Sequence, residues 1–92
     1  MELELAEKTA LVTGSSRGIG RAIAEVLHEE GCRVVINGRD EVDLESTAAH
    51  LPGAVAVAGD VTRAVEASRV LSEATAALGR LDILVCNVGG GR

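Results

Sequence analysis

Four short aliphatic runs alternate with three stretches of helical periodicity, and this alternation limits the fold of the 92-residue chain more than any other feature. The runs are Thr9-Ala10-Leu11-Val12-Thr13, Arg33-Val34-Val35-Ile36-Asn37, Ala54-Val55-Ala56-Val57-Ala58 and Leu81-Asp82-Ile83-Leu84-Val85-Cys86. Nearly continuous Val, Ile, Leu and Ala, without polar alternation, is how strands covered on both faces read. Between the first two runs, Ile19, Ala22, Ile23, Val26 and Leu27 repeat at the spacing of one helix face. Glu25, Glu29 and Glu30 point away from it, and Gly31 supplies a left-handed stop. The second helix starts from Asp40 as N-cap, with Glu41 and Asp43 at its positive end, and stops before Pro52-Gly53. The third starts from Thr62, presents Ala67, Val70, Leu71, Ala74 and Leu78 on one face, and closes at Gly79.

The order βαβαβαβ predicts an α/β fold: a doubly wound parallel sheet of Rossmann type, with right-handed crossovers and helices on both faces. The expected strand order is 3-2-1-4, with a ligand crevice where strands 1 and 4 part. One domain is the most that this length accommodates. The composition is 47% apolar with no Phe, Tyr or Trp, so the core must be built from Val, Leu, Ile and Ala.

The net charge of −5, with no basic run, argues against a nucleic-acid partner, which needs a clustered basic surface. The opening Met-Glu-Leu-Glu-Leu-Ala-Glu has neither the basic nor the apolar region of a signal peptide. No apolar run approaches the ~18 residues of a membrane span. A soluble, cytoplasmic chain is expected. Cys32 and Cys86 fall at opposite ends of the expected sheet, too far apart for a bridge. They read as ordinary buried thiols, and no metal site is expected.

The segment with chemical content is Thr13-Gly14-Ser15-Ser16-Arg17-Gly18-Ile19-Gly20, between the first strand and the first helix. Glycines there permit a sharp turn and close approach of phosphates to the backbone. The following helix offers unpaired N–H groups and the positive end of its dipole, which suits a pyrophosphate. The spacing is G-x-x-x-G-x-G; it is neither the G-x-G-x-x-G of many dinucleotide enzymes nor a P-loop. A tight strand-to-helix turn with no ligand is the plainer alternative.

Two more motifs follow strand exits: Asp60-Val61 after the third, and Cys86-Asn87-Val88-Gly89 after the fourth. Together with Thr13 to Gly20, they resemble the T-G-x-x-x-G-x-G, D-V and N-N-A-G motifs of the short-chain dehydrogenases/reductases. In the last motif Cys86 replaces the first Asn and Val88 the Ala, while Asn87 is kept. The resemblance runs from about Lys8 to Gly89. It implies a hydrogen bond from the Asp60 side chain near the adenine and a stabilising role for Asn87 at its strand end. The cofactor-binding set is then Gly14, Ser15, Ser16, Arg17, Gly18, Ile19, Gly20, Arg39, Asp60, Val61, Asn87, Val88 and Gly89. Asp60 has a plainer reading as the cap of a turn, and Asn87 as a tie between strand ends. Glycines 89 to 91 read equally well as a flexible end. His28 and His50 are expected to be solvated surface residues.

The exit of the second strand bears on cofactor choice. NAD-preferring enzymes place an acid there for the adenosine ribose. This chain has Gly38 at that position, followed by Arg39, and Arg17 lies inside the glycine motif. In NADP-dependent relatives, basic residues at these positions clasp the 2′-phosphate, and guanidinium is suited to phosphate. NADP is therefore expected over NAD, the alternative being that Arg39 pairs with Asp40 or Glu41. Gly38-Arg39 also speaks against a methyltransferase, which would want an acid for its cofactor ribose.

The family's catalytic Tyr, Lys, Ser and second Asn would all follow the fourth strand. The chain has no Tyr, and its single Lys is Lys8, so no catalytic residue is assigned. Residues 1–92 are read as a partial NAD(P)-binding Rossmann domain, a cofactor-binding fragment of an NADP-dependent oxidoreductase that is inactive alone. The alternatives are a non-catalytic nucleotide-binding module and a remnant that pairs with a full-length relative. The apolar edge Ile83-Leu84-Val85-Cys86 is expected to invite strand pairing, so the chain should be marginally stable or self-associate. A homo-oligomer is expected of the full-length form.

Overall fold

The computed structural model describes residues 5–87. The elements follow as β1 (Thr9–Val12), α1 (Gly18–Glu29), β2 (Arg33–Gly38), α2 (Glu41–Ala49), β3 (Val55–Ala58), α3 (Ala64–Leu78) and β4 (Ile83–Val85). All strand pairs are parallel, in the order β3-β2-β1-β4 that the sequence predicts. The register places Leu11 beside Val35 and Leu84, so the most apolar residues share the middle of the sheet.

Alternation along the strands divides the core into two clusters. Val12, Val34 and Ile36 face α1 and α2, packing with Ala24 and Leu44. Leu11, Val35 and Val57 face α3, packing with Val70, Ala74 and Leu78. Thr9, at the entry of β1, is buried because Asp82 satisfies it. Its N–H and hydroxyl donate to Asp82 Oδ2 at 2.9 and 3.1 Å, and its hydroxyl accepts from Asp82 N–H at 3.0 Å. The bonds onto its Oδ2, the one from the Thr9 N–H foremost, then that from the Thr9 hydroxyl, with Arg80 adding to them, hold the Asp82 carboxyl below the usual Asp range.

Several expectations need correction. In α1 the helical period is right but its phase is not: Ile19 is 73% exposed and Val26 55% exposed. The face turned inward is Gly20, Ile23, Ala24 and Leu27, because Gly20 allows α1 to lie close on the turn after β1 and Ala24 packs in the core. Thr62 does not cap α3: Arg63 is the N-cap, and the Thr62 hydroxyl donates to Asp60 instead. Leu71 is not covered by the core, whereas Val70, Ala74 and Leu78 are. The fourth strand is shorter than the aliphatic run, because Asp82 is engaged with Thr9 and Cys86 lies beyond the pairing with β1. Cys86 is also exposed, so only Cys32 is a buried thiol. Burial, more than the nearby Glu30 and Asp82, raises the Cys32 pKa.

Other local signals hold. Asp40 caps α2, accepting from the N–H groups of Val42 and Asp43 at 2.9 and 3.1 Å. Gly31 and Gly79 both adopt the left-handed conformation beyond their helices. His50 is exposed as expected, its Nδ1 2.9 Å from the Ser46 carbonyl, whereas His28 is half-buried, with Nε2 2.8 Å from the Pro52 carbonyl.

Candidate functional site

The exits of β1, β2 and β3 and the start of α1 meet at one end of the sheet. The turn from β1 is held by buried polar groups. Ser15 is fully buried; its hydroxyl donates to the Val12 carbonyl at 2.7 Å and its N–H to the Asn37 carbonyl at 2.7 Å. The Ser16 carbonyl accepts from the buried Thr47 hydroxyl at 2.8 Å, which ties the turn to α2. The start of β4's exit closes the other side: Asn87 N–H donates to the Thr13 hydroxyl, and Asn87 Nδ2 to the Gly14 carbonyl, each at 3.0 Å. Asn87 thus does tie adjacent strand exits together. Val88 and Gly89 lie outside the described residues.

Two glycines of the motif differ in what they accomplish. A Cβ on Gly20 would stand 2.0 Å from the Gly14 carbonyl oxygen, so Gly20 is where α1 packs against the turn. Gly18 has φ +65° with nothing within 4 Å of a Cβ position, so it opens on free space at the first residue of α1. Arg17 is the N-cap in extended conformation, without a side-chain hydrogen bond to the helix, and no acid stands in the first turn. By contrast, α2 has both a side-chain cap and acids there. The start of α1 therefore presents N–H donors and a positive dipole end without an internal anion. Ile19 lies beside this opening, exposed.

Asn37 organises the site, although it was not among the residues picked from the sequence. It is 1% exposed. Its Nδ2 donates to the carbonyls of Val57 and Gly59 at 3.0 and 3.2 Å, and its Oδ1 accepts from Gly14 N–H at 3.2 Å. Its N–H donates to Ser15 Oγ at 2.9 Å. One amide thus joins the glycine turn to the exit of β3. The available signal was a single amide closing the aliphatic run Val34-Val35-Ile36.

At the exit of β2, Gly38 is buried and its missing Cβ makes room for Ser16, whose Oγ lies 2.6 Å from where that Cβ would be. Arg39 is exposed, with Nη1 3.9 Å from Asp60 Oδ2; its partner is Asp60, not Asp40 or Glu41. Arg17 is likewise exposed, with Nη1 4.0 Å from Asp43 Oδ2. Asp60 accepts from the Thr62 N–H at 3.0 Å and from its hydroxyl, so it does close the turn before α3. The Thr62 hydroxyl and N–H, in that order, hold the Asp60 carboxyl below the usual range, and Arg39 adds a smaller contribution. Val61 packs against the core cluster under α3. Arg39, Glu41, Ala58, Gly59, Asp60, Glu66 and Arg69 line an open groove of about 340 Å³.

The family model for short chain dehydrogenases matches residues 8–92. The chain belongs to the short-chain dehydrogenase/reductase family. It is 51% identical over 81 residues to a granaticin polyketide synthase putative ketoacyl reductase 2 of Streptomyces violaceoruber, covering 87% of this chain and 32% of that protein. It is 43% identical over 89 residues to a glucose 1-dehydrogenase of Gluconobacter oxydans, covering 91% and 34%. The crystal structure of L-sorbose reductase from Gluconobacter frateurii, complexed with NADPH and L-sorbose, superposes with a TM-score of 0.93 at 35% identity, covering all of this chain and 37% of that one. The chain spans about a third of the length of the curated relatives it matches.

Short-chain dehydrogenases/reductases bind NAD(P), and the residues present fit such a group. The start of α1 is free of internal anions, space opens above Gly18, and a groove follows at the exits of β2 and β3. Among the described residues, no group of His, Cys, Asp or Glu could hold a metal ion, and no helix is long and apolar enough to cross a membrane.

Proposed function

We propose that this chain is the cofactor-binding part of an NADP-dependent oxidoreductase that interconverts a carbonyl and an alcohol. The observation that carries the NADP preference is the exit of β2, where a buried Gly38 stands in the place of a ribose-binding acid and an exposed Arg39 follows it. Gly14, Ser15, Ser16, Gly18, Ile19 and Gly20 form the turn and helix start that receive the pyrophosphate. Backbone donors and the dipole of α1 stabilise its charge. Arg17 and Arg39 turn to the 2′-phosphate, exchanging loose carboxylate partners for charge-assisted hydrogen bonds to phosphate. Asp60 and Val61 bound the adenine side, while Asn87, Val88 and Gly89 continue the site from β4.

When bound, NADPH supplies the hydride for carbonyl reduction. The chain's own residues bind and orient it. The chain contains no Tyr, and its one Lys, Lys8, precedes β1 at the opposite end of the sheet from the glycine turn. The phenol acid of the family, with the cation that lowers its pKa, is proposed to come from outside these 92 residues. The chain alone should then be inactive.

Calorimetric titration of the full chain tests the cofactor reading. NADPH should bind more tightly than NADH. Arg39→Ala should weaken NADPH by about 10- to 100-fold, the worth of a hydrogen bond to a charged group, and leave NADH within about twofold. Equal affinities in the unmodified chain would rule out the NADP assignment.

A further inference from the structure

We propose that Asp43 limits the chain's discrimination between NADP and NAD by competing with the 2′-phosphate for Arg17. The inference rests on the dinucleotide reading above and adds a specificity-determining residue outside the three family motifs. Arg17 Nη1 lies 4.0 Å from Asp43 Oδ2, and their side chains are 79% and 42% exposed.

Asp43 is held in position from below. Its neighbour Leu44 is buried in the core, and the buried Thr47 hydroxyl bonds the Ser16 carbonyl, one residue before Arg17. The distance from α2 to the glycine turn is thus set by buried contacts, and the long Arg17 side chain is the part free to move. A phosphate that recruits Arg17 must take it from Asp43, and the remaining carboxylate then repels the incoming phosphate.

Asp43 does not depend on Arg17 for its place. It lies in the first turn of α2, where the helix dipole favours an acid, and Asp40 caps that helix. Its charge can therefore be removed without uncapping α2. Asp60, the partner of Arg39, differs in this respect, because it also accepts two hydrogen bonds from Thr62.

The test is titration of the full chain and of Asp43→Asn with NADPH and NADH at low ionic strength. An exposed ion pair of this kind corresponds to a small factor, so NADPH should tighten by about two- to fivefold in the variant, with NADH nearly unchanged. High salt should remove the gain. Glu45→Gln, the same charge change on an exposed position of α2, is the control and should leave the NADPH to NADH ratio where it was. An unchanged ratio in Asp43→Asn, or an equal change in Glu45→Gln, would overturn the role of Asp43 while leaving the dinucleotide reading intact. Failure of the unmodified chain to bind either dinucleotide would overturn both.

Discussion

Single residues in the glycine turn act by two separable physical effects. Gly18 has a left-handed backbone and open space around it, whereas Gly20 has no room for a methyl group beside the Gly14 carbonyl. Gly18→Ala should therefore cost only about 1–2 kcal/mol, the penalty of a left-handed L-residue. On the proposed reading, in which the start of α1 receives the pyrophosphate, the added methyl should also weaken NADPH binding, by about tenfold or more. Gly20→Ala should cost about 3 kcal/mol or more, since the obstacle is backbone that cannot rotate aside. Urea unfolding beside NADPH titration separates the two: binding falls more than stability for Gly18→Ala, and stability itself falls for Gly20→Ala. The motif was plain in the sequence, but the division of labour within it was not, because it depends on what lies beside each Cα.

Between elements, Asn37 has the largest structural part of any side chain in the site. Removing its amide leaves the half-buried Gly59 carbonyl and Gly14 N–H without this partner and takes one donor from the Val57 carbonyl. A polar group left unpaired on burial costs about 1–3 kcal/mol, and these two are only half-buried, so Asn37→Ala should lose about 2–3 kcal/mol in urea unfolding. Hydrogen exchange should show reduced protection at the Gly14 amide ahead of the strand centres. The helices teach a related lesson. The period of α1 was legible from its aliphatic residues, but its phase was set by the small residues Gly20, which packs on the glycine turn, and Ala24, which packs in the core. A pattern search weighted towards Ile19 and Val26 turns the helix the wrong way. In α3 the competition of Asp60 for the Thr62 hydroxyl displaced the expected cap.

Across the whole molecule, the sheet ends in two edge strands, β3 and β4, and β4 is the shorter of them. β4 pairs with β1 on one side and, among the described residues, with no strand on the other. Leu84 at its centre is 49% exposed. An aliphatic edge with unpaired N–H and C=O groups is a template for another strand. The 92-residue chain should accordingly associate as its concentration rises, as read by sedimentation velocity. Leu84→Lys should weaken that association at least several-fold while the circular dichroism of the chain is kept. Monomeric behaviour of the unmodified chain at all concentrations would refute this expectation.

The sequence alone determined the parallel α/β sheet, its strand order, the position of the glycine turn and the absence of aromatic residues from the core. These follow from local signals: aliphatic runs, capping acids, glycine stops and the βαβ handedness that leaves few topologies open. Tertiary structure decided which face of α1 packs inward, the joining role of Asn37, and the pairing of Arg17 with Asp43 and of Arg39 with Asp60. Each of these depends on residues brought together from different elements, between 21 and 26 positions apart in the case of the arginine pairs. Periodicity reports what one segment prefers; which partner a side chain meets across such a separation is set by how the helices settle on the sheet.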